Sequence, residues 1–397
     1  MQLNLVADRV VRGKIYPSLA RFQAEPYTME WRQFNQHWPN TIPIRLQEYF
    51  EGHGVPIQIF NVVDDLPELT YYPIALGWFN FGIDYFALLS PDIKIQLQQN
   101  RLQLLFFYHE GDNPERIKKR LDELAAQHQM PDHCYVFVSS NSAADHLDGF
   151  VSFQDSELWY WHRNKVSAPL TIHRNPRSRD FTALVRLHKW WRAVIMSDLK
   201  QHGILDHSHW SYCEGQTDHD SIDECPIEID SVPNLRTALQ EFMSTVPHYT
   251  DGLSQTQRND HSVTVDYFFT DSYCNIVLET MFDYDQSNGV LLSEKTFKPI
   301  KHGQLFFVAG AAGSLQTLRD LGYRTFDSVL DNSYDLEQNN TQRWIKLRSA
   351  IVQAQQQGLA KLFEQARDDI VYNQNLFAES KRTRLNTLLK KIHDKSS

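Results

Sequence analysis

Two short apolar runs joined by a helical segment most constrain the fold of this 397-residue chain. Leu102 to Tyr108 and Cys134 to Val138 are continuous apolar runs of strand length, not alternating ones. Between them, Asn113 is a favourable N-cap, Pro114 suits the first helical position, and apolar residues recur at helical spacing to about Gln127. Because continuous runs are typical of strands buried on both faces of a parallel sheet, this segment predicts a β-α-β unit.

Polar side chains follow both predicted strands. His109, Glu110 and Asp112 come after the first, and Ser140 and Asn141 come after the second. Ligands of open α/β sheets collect at the carboxyl ends of the strands, so these residues are site candidates. Glu110 is the carboxylate best suited to act as general base toward an acceptor hydroxyl. The alternative is that Glu110 or Asp112 only satisfies the turn and the helix start.

A second α/β unit is predicted over residues 290–335. Ser293 is a good N-cap, Glu294 and Lys295 fall in the first helical turn, and Gly303 is a typical helix end. Pro299 inside this helix predicts that it is short or bent.

The same unit continues with alternating strands and a helix. Gln304 to Val308 predicts a buried strand, Ser314 to Leu321 a helix, and Tyr323 to Phe326 another strand. Upstream, Val265 to Phe269 and Asn275 to Leu278 are also predicted as strands, and the second of these ends at Glu279.

The Glu-Lys helix start suggests a ligand. A carboxylate there gains from the helix dipole, and free N–H groups attract anions. A carboxylate that holds a ribose diol, beside a lysine and open N–H groups that meet a diphosphate, would bind a nucleotide sugar. The alternative is a capped surface helix with an adjacent charge pair, and spacing alone favours that alternative.

A basic turn follows another predicted strand, Phe181 to Leu187, and leads into a helix that Gly203 ends. Lys189 and Arg192 lie at the start of this helix, where the dipole disfavours cations. A bound anion would explain them. The alternative is a solvated cluster with two tryptophans packed nearby.

Leu292-Ser293-Glu294-Lys295, followed by Gly303 and then by Phe306 to Gly310, resembles the donor-binding part of GT-B-fold glycosyltransferases. The pattern is closest to that of the α1,3-fucosyltransferases, and its continuation resembles uncharacterised glycosyltransferase-like proteins of bacteria and phages. Leu292 stands near a position where that pattern often has an aromatic residue, and the strand lacks a Val-Pro-Val core.

The resemblance implies an α/β fold of two Rossmann-like domains facing across a cleft, with C-terminal helices. The expected domains are an acceptor-side domain over residues 1–165, a donor-binding domain over 178–340, and helices over 341–397, the last near Lys381 to His393.

The resemblance also implies residue roles in a metal-independent glycosyltransferase that inverts the sugar carbon. Arg192 is the expected diphosphate ligand, with Lys189 and Arg186 in reserve, and Glu110 is the expected base. Glu294 is expected to hold the ribose and Lys295 to neutralise the leaving diphosphate. The remaining donor-side residues are Tyr273, Glu279, Ser293 and Gly310.

Three acidic or histidine pairs suggest a metal only weakly: His207 with His209, Asp218 with Asp220, and Asp283 with Asp285. With 49 acidic residues and 17 histidines, such pairs arise by chance. The first two lie in segment 206–233, which is predicted as a loop. We expect no metal and no cofactor beyond the nucleotide sugar as co-substrate.

Composition limits the partners. A net charge of −10 argues against bulk nucleic-acid binding, although a local basic groove on a nucleic-acid-modifying sugar transferase stays an alternative. A nucleotide- or glycan-binding protein that catalyses no reaction is a second alternative. The acceptor is expected to be a glycan or another hydroxyl compound. The sequence contains no run of about 18 apolar residues, so it predicts no membrane span. Its four scattered cysteines favour a reduced, cytoplasmic protein.

Overall fold

The computed structural model describes residues 2–7, 37–39, 56–61, 65–76, 79–163, 170, 172, 176–213, 221–250 and 265–396. The chain divides into two compact units. Unit 1 comprises Met1–His162, Asp285–Leu291 and Ser380–Ser397, and unit 2 comprises Arg163–Tyr284 and Leu292–Glu379.

Both units are α/β, and their strands and helices are numbered here in chain order. The strands are β1 Leu3–Ala7, β2 His37–Pro39, β3 Ile57–Asn61, β4 Thr70–Leu76, β5 Gln103–Tyr108, β6 Tyr135–Ser139, β7 Phe150–Ser152, β8 Arg179–Val185, β9 Ser208–Tyr212, β10 Ser272–Leu278 and β11 Leu305–Ala309. The helices are α1 Pro91–Gln98, α2 Pro114–Gln127, α3 Asp155–Arg163, α4 Trp190–Gln201, α5 Leu235–Met243, α6 Asp266–Thr270, α7 Tyr284–Ser287, α8 Glu294–His302, α9 Ser314–Asp320, α10 Asn340–Gln357, α11 Leu359–Gln365, α12 Arg367–Glu379 and α13 Lys381–Ser396.

The sheet of unit 1 has the strand order β3-β1-β4-β5-β6-β7, with every neighbouring pair parallel, and β2 pairs antiparallel with β4. The predicted β-α-β unit is confirmed as β5, α2 and β6. Asn113 caps α2 by accepting from the N–H groups of Glu115 and Arg116. The parallel sheet predicted from the continuous apolar runs is therefore present.

Each face of this sheet has its own core. Leu104 and Phe106 pack into one apolar cluster, to which α1 and α2 contribute. Leu105 and Phe107 point into the other, where they meet leucines of the last helix, including Leu385. Burial on both faces explains why β5 and β6 carry apolar residues at nearly every position.

The sheet of unit 2 has the order β11-β10-β8-β9, and all three neighbouring pairs are parallel. Helix α8 confirms its predicted ends: the Ser293 hydroxyl accepts from Lys295 N, and Gly303 adopts the left-handed conformation with φ 63°. Helices α10 to α12 belong to unit 2, whereas α13 belongs to unit 1. No helix in the described parts of the chain combines the length and the apolarity that a membrane crossing requires.

Two strand predictions are wrong. Val265 to Phe269 is largely helical, as α6, rather than a strand. Tyr323 to Phe326 forms no strand because a side chain takes the place of a strand neighbour. The amide of Asn373 on α12 donates to Arg324 O at 2.8 Å and accepts from Arg324 N at 2.8 Å.

The loop prediction for residues 206–233 is also wrong in part, since β9 lies inside this segment and pairs with β8. His209, the second residue of β9, is buried and its Nε2 lies 2.9 Å from Asp271 Oδ2. Asp271 also accepts from the N–H and the hydroxyl of Ser178. One carboxylate thus ties together β9 and the starts of β8 and β10.

Asp271→Asn is expected to lower stability at neutral pH by about 1 kcal/mol, because the charged acceptor is lost. Burial raises the pKa of Asp271, but the bonds from Ser178 and His209 outweigh it, so the folded-state pKa lies below its ordinary value. The stabilisation is therefore complete above the unfolded-state pKa, about 3.9, and is lost as pH falls through the lower folded-state pKa. The unfolding midpoints of native and variant chains should converge in acid. Asp206→Asn, at an exposed position, is the control. If Asp271→Asn lowered the unfolding midpoint by the same amount at every pH, the stabilising role of the ionised Asp271 would be wrong.

Candidate functional site

The carboxyl ends of β8 and β10 in unit 2 gather most of the donor residues predicted from the sequence. Glu279 and Thr280 follow β10, Lys189 and Arg192 belong to the turn and helix after β8, and α8 begins beside them. This is the edge at which open parallel sheets bind ligands.

Three cations converge on two residues there. Lys189 Nζ donates to Thr280 O at 2.8 Å, and Lys295 Nζ donates to Thr280 Oγ1 at 3.2 Å. The buried Arg192 guanidinium donates to the carbonyls of Glu279 and Leu187. Lys189 and Lys295 remain partly exposed, so a ligand anion can reach them.

Glu279 is completely buried and fixes the start of α8 on the end of β10. Its Oε1 accepts from Ser293 N at 3.0 Å and from the Thr296 hydroxyl at 2.5 Å, and its Oε2 accepts from Thr280 N at 2.9 Å. These bonds join β10, Thr280 and the first turn of α8, so Glu279 fixes the geometry of this edge.

Glu294 is a buried carboxylate held in its ionised form. Its Oε1 lies 3.3 Å from Lys295 Nζ. Burial raises the pKa of Glu294, but the charges of Lys295 and Lys298 and a bond from its own N–H outweigh this, so the pKa is lowered. Lys298 was not among the predicted site residues, although its position four residues after Glu294 on a helix is a sequence signal for this pairing.

The amides at the start of α8 already have partners. Ser293 N donates to Glu279, Lys295 N to the Ser293 hydroxyl at 3.4 Å, and Thr296 N to Ser293 O at 3.2 Å. The expectation that open N–H groups of this helix meet a diphosphate is therefore not met. Local capping and the buried Glu279 satisfy these groups instead.

The start of α4 is different. Its N-cap residue, Lys189, makes no side-chain capping bond, and the first turn contains no acidic residue. Lys189 O accepts from Arg192 N and Ala193 N, as expected for a helix start. A helix N-terminus favours anions, so the start of α4, beside Lys189, is where the electrostatics of this edge favour an anion.

Gly310 is required by close packing after β11. A Cβ at this position would lie 2.7 Å from Ser314 Oγ and 3.4 Å from Glu279 Cβ. Its carbonyl accepts from Arg343 Nε at 3.2 Å. Arg343 is almost fully buried and was missed by sequence reasoning, because a single arginine within a helical pattern carries no signal of its distant acceptors.

Two predicted donor-side residues do not join the group around Glu279: Tyr273 lies apart from it, and Arg186 lies at its margin. Tyr273 is at the opposite end of β10 from Glu279, about 20 Å away at the rise of an extended strand. Its hydroxyl accepts from Arg177 N and its ring packs on Phe363. Arg186 is partly buried directly after β8.

In unit 1, Glu110 is exposed after β5, as a residue that meets a second substrate must be. The neighbouring candidates serve the protein's own chain. Asp112 accepts from the Tyr108 hydroxyl, and Ser140 Oγ donates to Phe153 O. The wholly buried Asn141 has two chain segments as partners.

Asn141 Nδ2 donates to Gly111 O at 3.0 Å and to Ser287 O at 2.6 Å, and its Oδ1 accepts from Ala143 N at 2.9 Å. The side chain therefore holds segment 285–291 against the carboxyl edge of β5 and β6. Gly289 is needed for this close approach, since a Cβ there would lie 2.0 Å from Asn141 Oδ1.

The predicted metal pairs do not form a cluster where the structure describes them. His209 pairs with Asp271, and Asp218 and Asp220 lie outside the described residues. Within the described ranges, no group of three or more histidine, cysteine, aspartate or glutamate side chains is arranged to hold a metal ion.

Comparison with known proteins adds no identification. The sequence matches no protein-family model, and no curated protein gives a significant match.

Proposed function

We propose that this chain is a metal-independent glycosyltransferase that moves a sugar from a nucleotide-diphosphate donor to an acceptor hydroxyl. The supporting observation is the convergence of Lys189, Arg192 and Lys295 on Glu279 and Thr280 at the carboxyl edge of the unit 2 sheet. Glu294, an ionised carboxylate, lies within the same group.

These residues supply what the donor side of a sugar transfer needs. Glu294 accepts hydrogen bonds from the ribose diol. Lys189, Lys295 and the start of α4 receive the diphosphate, whose negative charge grows as the sugar leaves. Arg192 is buried, and its bonds to two carbonyls stabilise this edge of the sheet. Its positive charge would attract the phosphate without direct contact.

The acceptor side is assigned to unit 1. Glu110 would take the proton from the acceptor hydroxyl as the new glycosidic bond forms, and the diphosphate would depart with the electrons of the broken bond. On this proposal the chain is of the GT-B type, with unit 2 binding the donor. The resemblance of its 292–310 segment to the α1,3-fucosyltransferase pattern supports the same division.

Thermal unfolding with GDP, UDP, ADP, CMP or dTDP, each with and without EDTA, tests the donor site. One nucleoside diphosphate is expected to stabilise the native chain by about 2.7 kcal/mol at one hundred times its dissociation constant, with no effect of EDTA. Lys189→Met should reduce this stabilisation, whereas Lys361→Met, at an exposed position of α11, should not. No stabilisation by any nucleotide would overturn the proposal.

A binding protein without turnover is the second candidate, and the arrangement around Asn141 favours it. The carboxyl edge of β5 and β6, where an acceptor was expected, holds the chain's own segment 285–291. With water as the acceptor in place of the unidentified hydroxyl compound, an enzyme should hydrolyse its donor sugar nucleotide to free sugar and nucleoside diphosphate. Glu110→Gln should slow this hydrolysis without weakening donor binding. A binding protein should release no nucleoside diphosphate, either as the native chain or as the Glu110→Gln variant.

A further inference from the structure

An aromatic group extends the donor site across the sheet edge toward β9. Trp190, the first residue of α4, is partly exposed and packs edge-on against His188, with ring centroids 4.8 Å apart at 86°. His188 Nδ1 in turn lies 2.7 Å from the hydroxyl of Tyr212, the last residue of β9. The fully buried Tyr212 therefore holds His188, and His188 in turn supports the orientation of the Trp190 ring.

The order of the strands sets the order of the candidate ligand groups. At the end of β10, Glu294 lies with Lys295 and the Lys189 ammonium, which both contact Thr280. Helix α4 begins after the neighbouring strand β8, and its first residue, Trp190, is connected through His188 to Tyr212 at the end of β9. Two strand spacings amount to about 10 Å, which leaves room for a diphosphate between the two ends.

A nucleotide sugar has the same linear order: ribose, diphosphate, sugar. With the ribose at Glu294 and the diphosphate at Lys189, the transferred sugar extends toward β9. Sugars present C–H faces that pack on aromatic rings, and an indole offers the largest such surface at little cost in side-chain entropy.

From this order we infer that Trp190 is the platform on which the transferred sugar of the donor packs, with His188 and Tyr212 as its positioning residues. The inference rests on the proposed donor site and adds the contact that recognises the sugar rather than the nucleotide. The ligand class at Trp190 is a pyranose or furanose ring joined to the diphosphate.

Titration calorimetry with paired probes tests this inference: UDP with UDP-glucose, GDP with GDP-mannose, and ADP with ADP-glucose. For the pair that binds, Trp190→Ala should weaken the sugar nucleotide about threefold to tenfold relative to the bare diphosphate. Trp190→Phe keeps an aromatic face and should retain most of the preference, which guards against a folding defect in the alanine variant.

Trp210→Phe and Trp210→Ala are matched controls. Trp210 is also partly exposed in unit 2, but its ring is stacked on His248 at 3.7 Å. Neither change should alter the ratio of the two affinities. Equal weakening of diphosphate and sugar nucleotide by Trp190→Ala, or no weakening of either, would overturn the sugar platform and leave the donor site standing. Failure of every diphosphate to bind the native chain would instead overturn the donor site itself.

Discussion

Glu294→Gln is expected to remove most of the stabilisation that a ribonucleoside diphosphate gives the native chain. Hydrogen bonds to a charged acceptor contribute about 1.5–3 kcal/mol each, so loss of the ribose contacts should raise the dissociation constant about 100-fold. At a ligand concentration that stabilises the native chain by about 2.7 kcal/mol, the variant should gain only about 0.4 kcal/mol. The measurement is the shift in thermal unfolding midpoint.

Inorganic pyrophosphate separates the ribose role from general damage to the site. Glu294 lies 3.3 Å from Lys295 Nζ and partly neutralises it. The variant should therefore bind pyrophosphate as tightly as the native chain, or more tightly. The native chain should also prefer a ribonucleoside diphosphate over its 2′-deoxy counterpart, and the variant should lose that preference.

Glu115→Gln is the control for this experiment because Glu115 is likewise in the first turn of a side-chain-capped helix, but is exposed in unit 1. It should change none of these affinities. If Glu294→Gln weakened pyrophosphate and nucleotide equally, the ribose role would be wrong and Glu294 would act through the local structure of α8.

Features set by neighbouring residues were predictable from the sequence. The ends of α8 follow from the Ser293 cap and from Gly303, and α2 follows from Asn113 and Pro114, because capping depends on residues within one helical turn. The continuous apolar runs at β5 and β6 likewise report burial on both faces, so the parallel α/β character was predictable.

Features set by distant side chains were not. Tyr323 to Phe326 has strand character, yet Asn373, about fifty residues later, takes the backbone bonds of Arg324. The start of α8 has the sequence of an anion site, yet the Glu279 carboxylate lies against it and accepts from Ser293 N and from the Thr296 hydroxyl. This tertiary contact, which the sequence does not show, leaves the start of α4 as the better of the two predicted anion positions, because α4 has no side-chain cap.

Arg343→Met is expected to destabilise unit 2 by about 4 kcal/mol, the largest effect on stability among these predictions. Arg343 is 1% exposed and donates to the carbonyls of Gly310, Phe282 and Glu337. Burial lowers its pKa to about 10, which still leaves it charged at neutral pH. Methionine fills similar space but leaves buried carbonyls without donors, at about 1–3 kcal/mol each. The unfolding midpoint should fall by about 10 °C.

Arg367→Met is the control for Arg343→Met. The Arg367 side chain is 38% exposed and lies 3.7 Å from Glu364, so its loss should change stability by less than about 0.5 kcal/mol. Arg343→Lys should fall between the two, because one ammonium lacks the planar fork that reaches several carbonyls. If Arg343→Met unfolded within about 1 kcal/mol of the native chain, water would be satisfying the three carbonyls. Gly310 would then be held beside Glu279 by the close packing after β11 and not by the guanidinium.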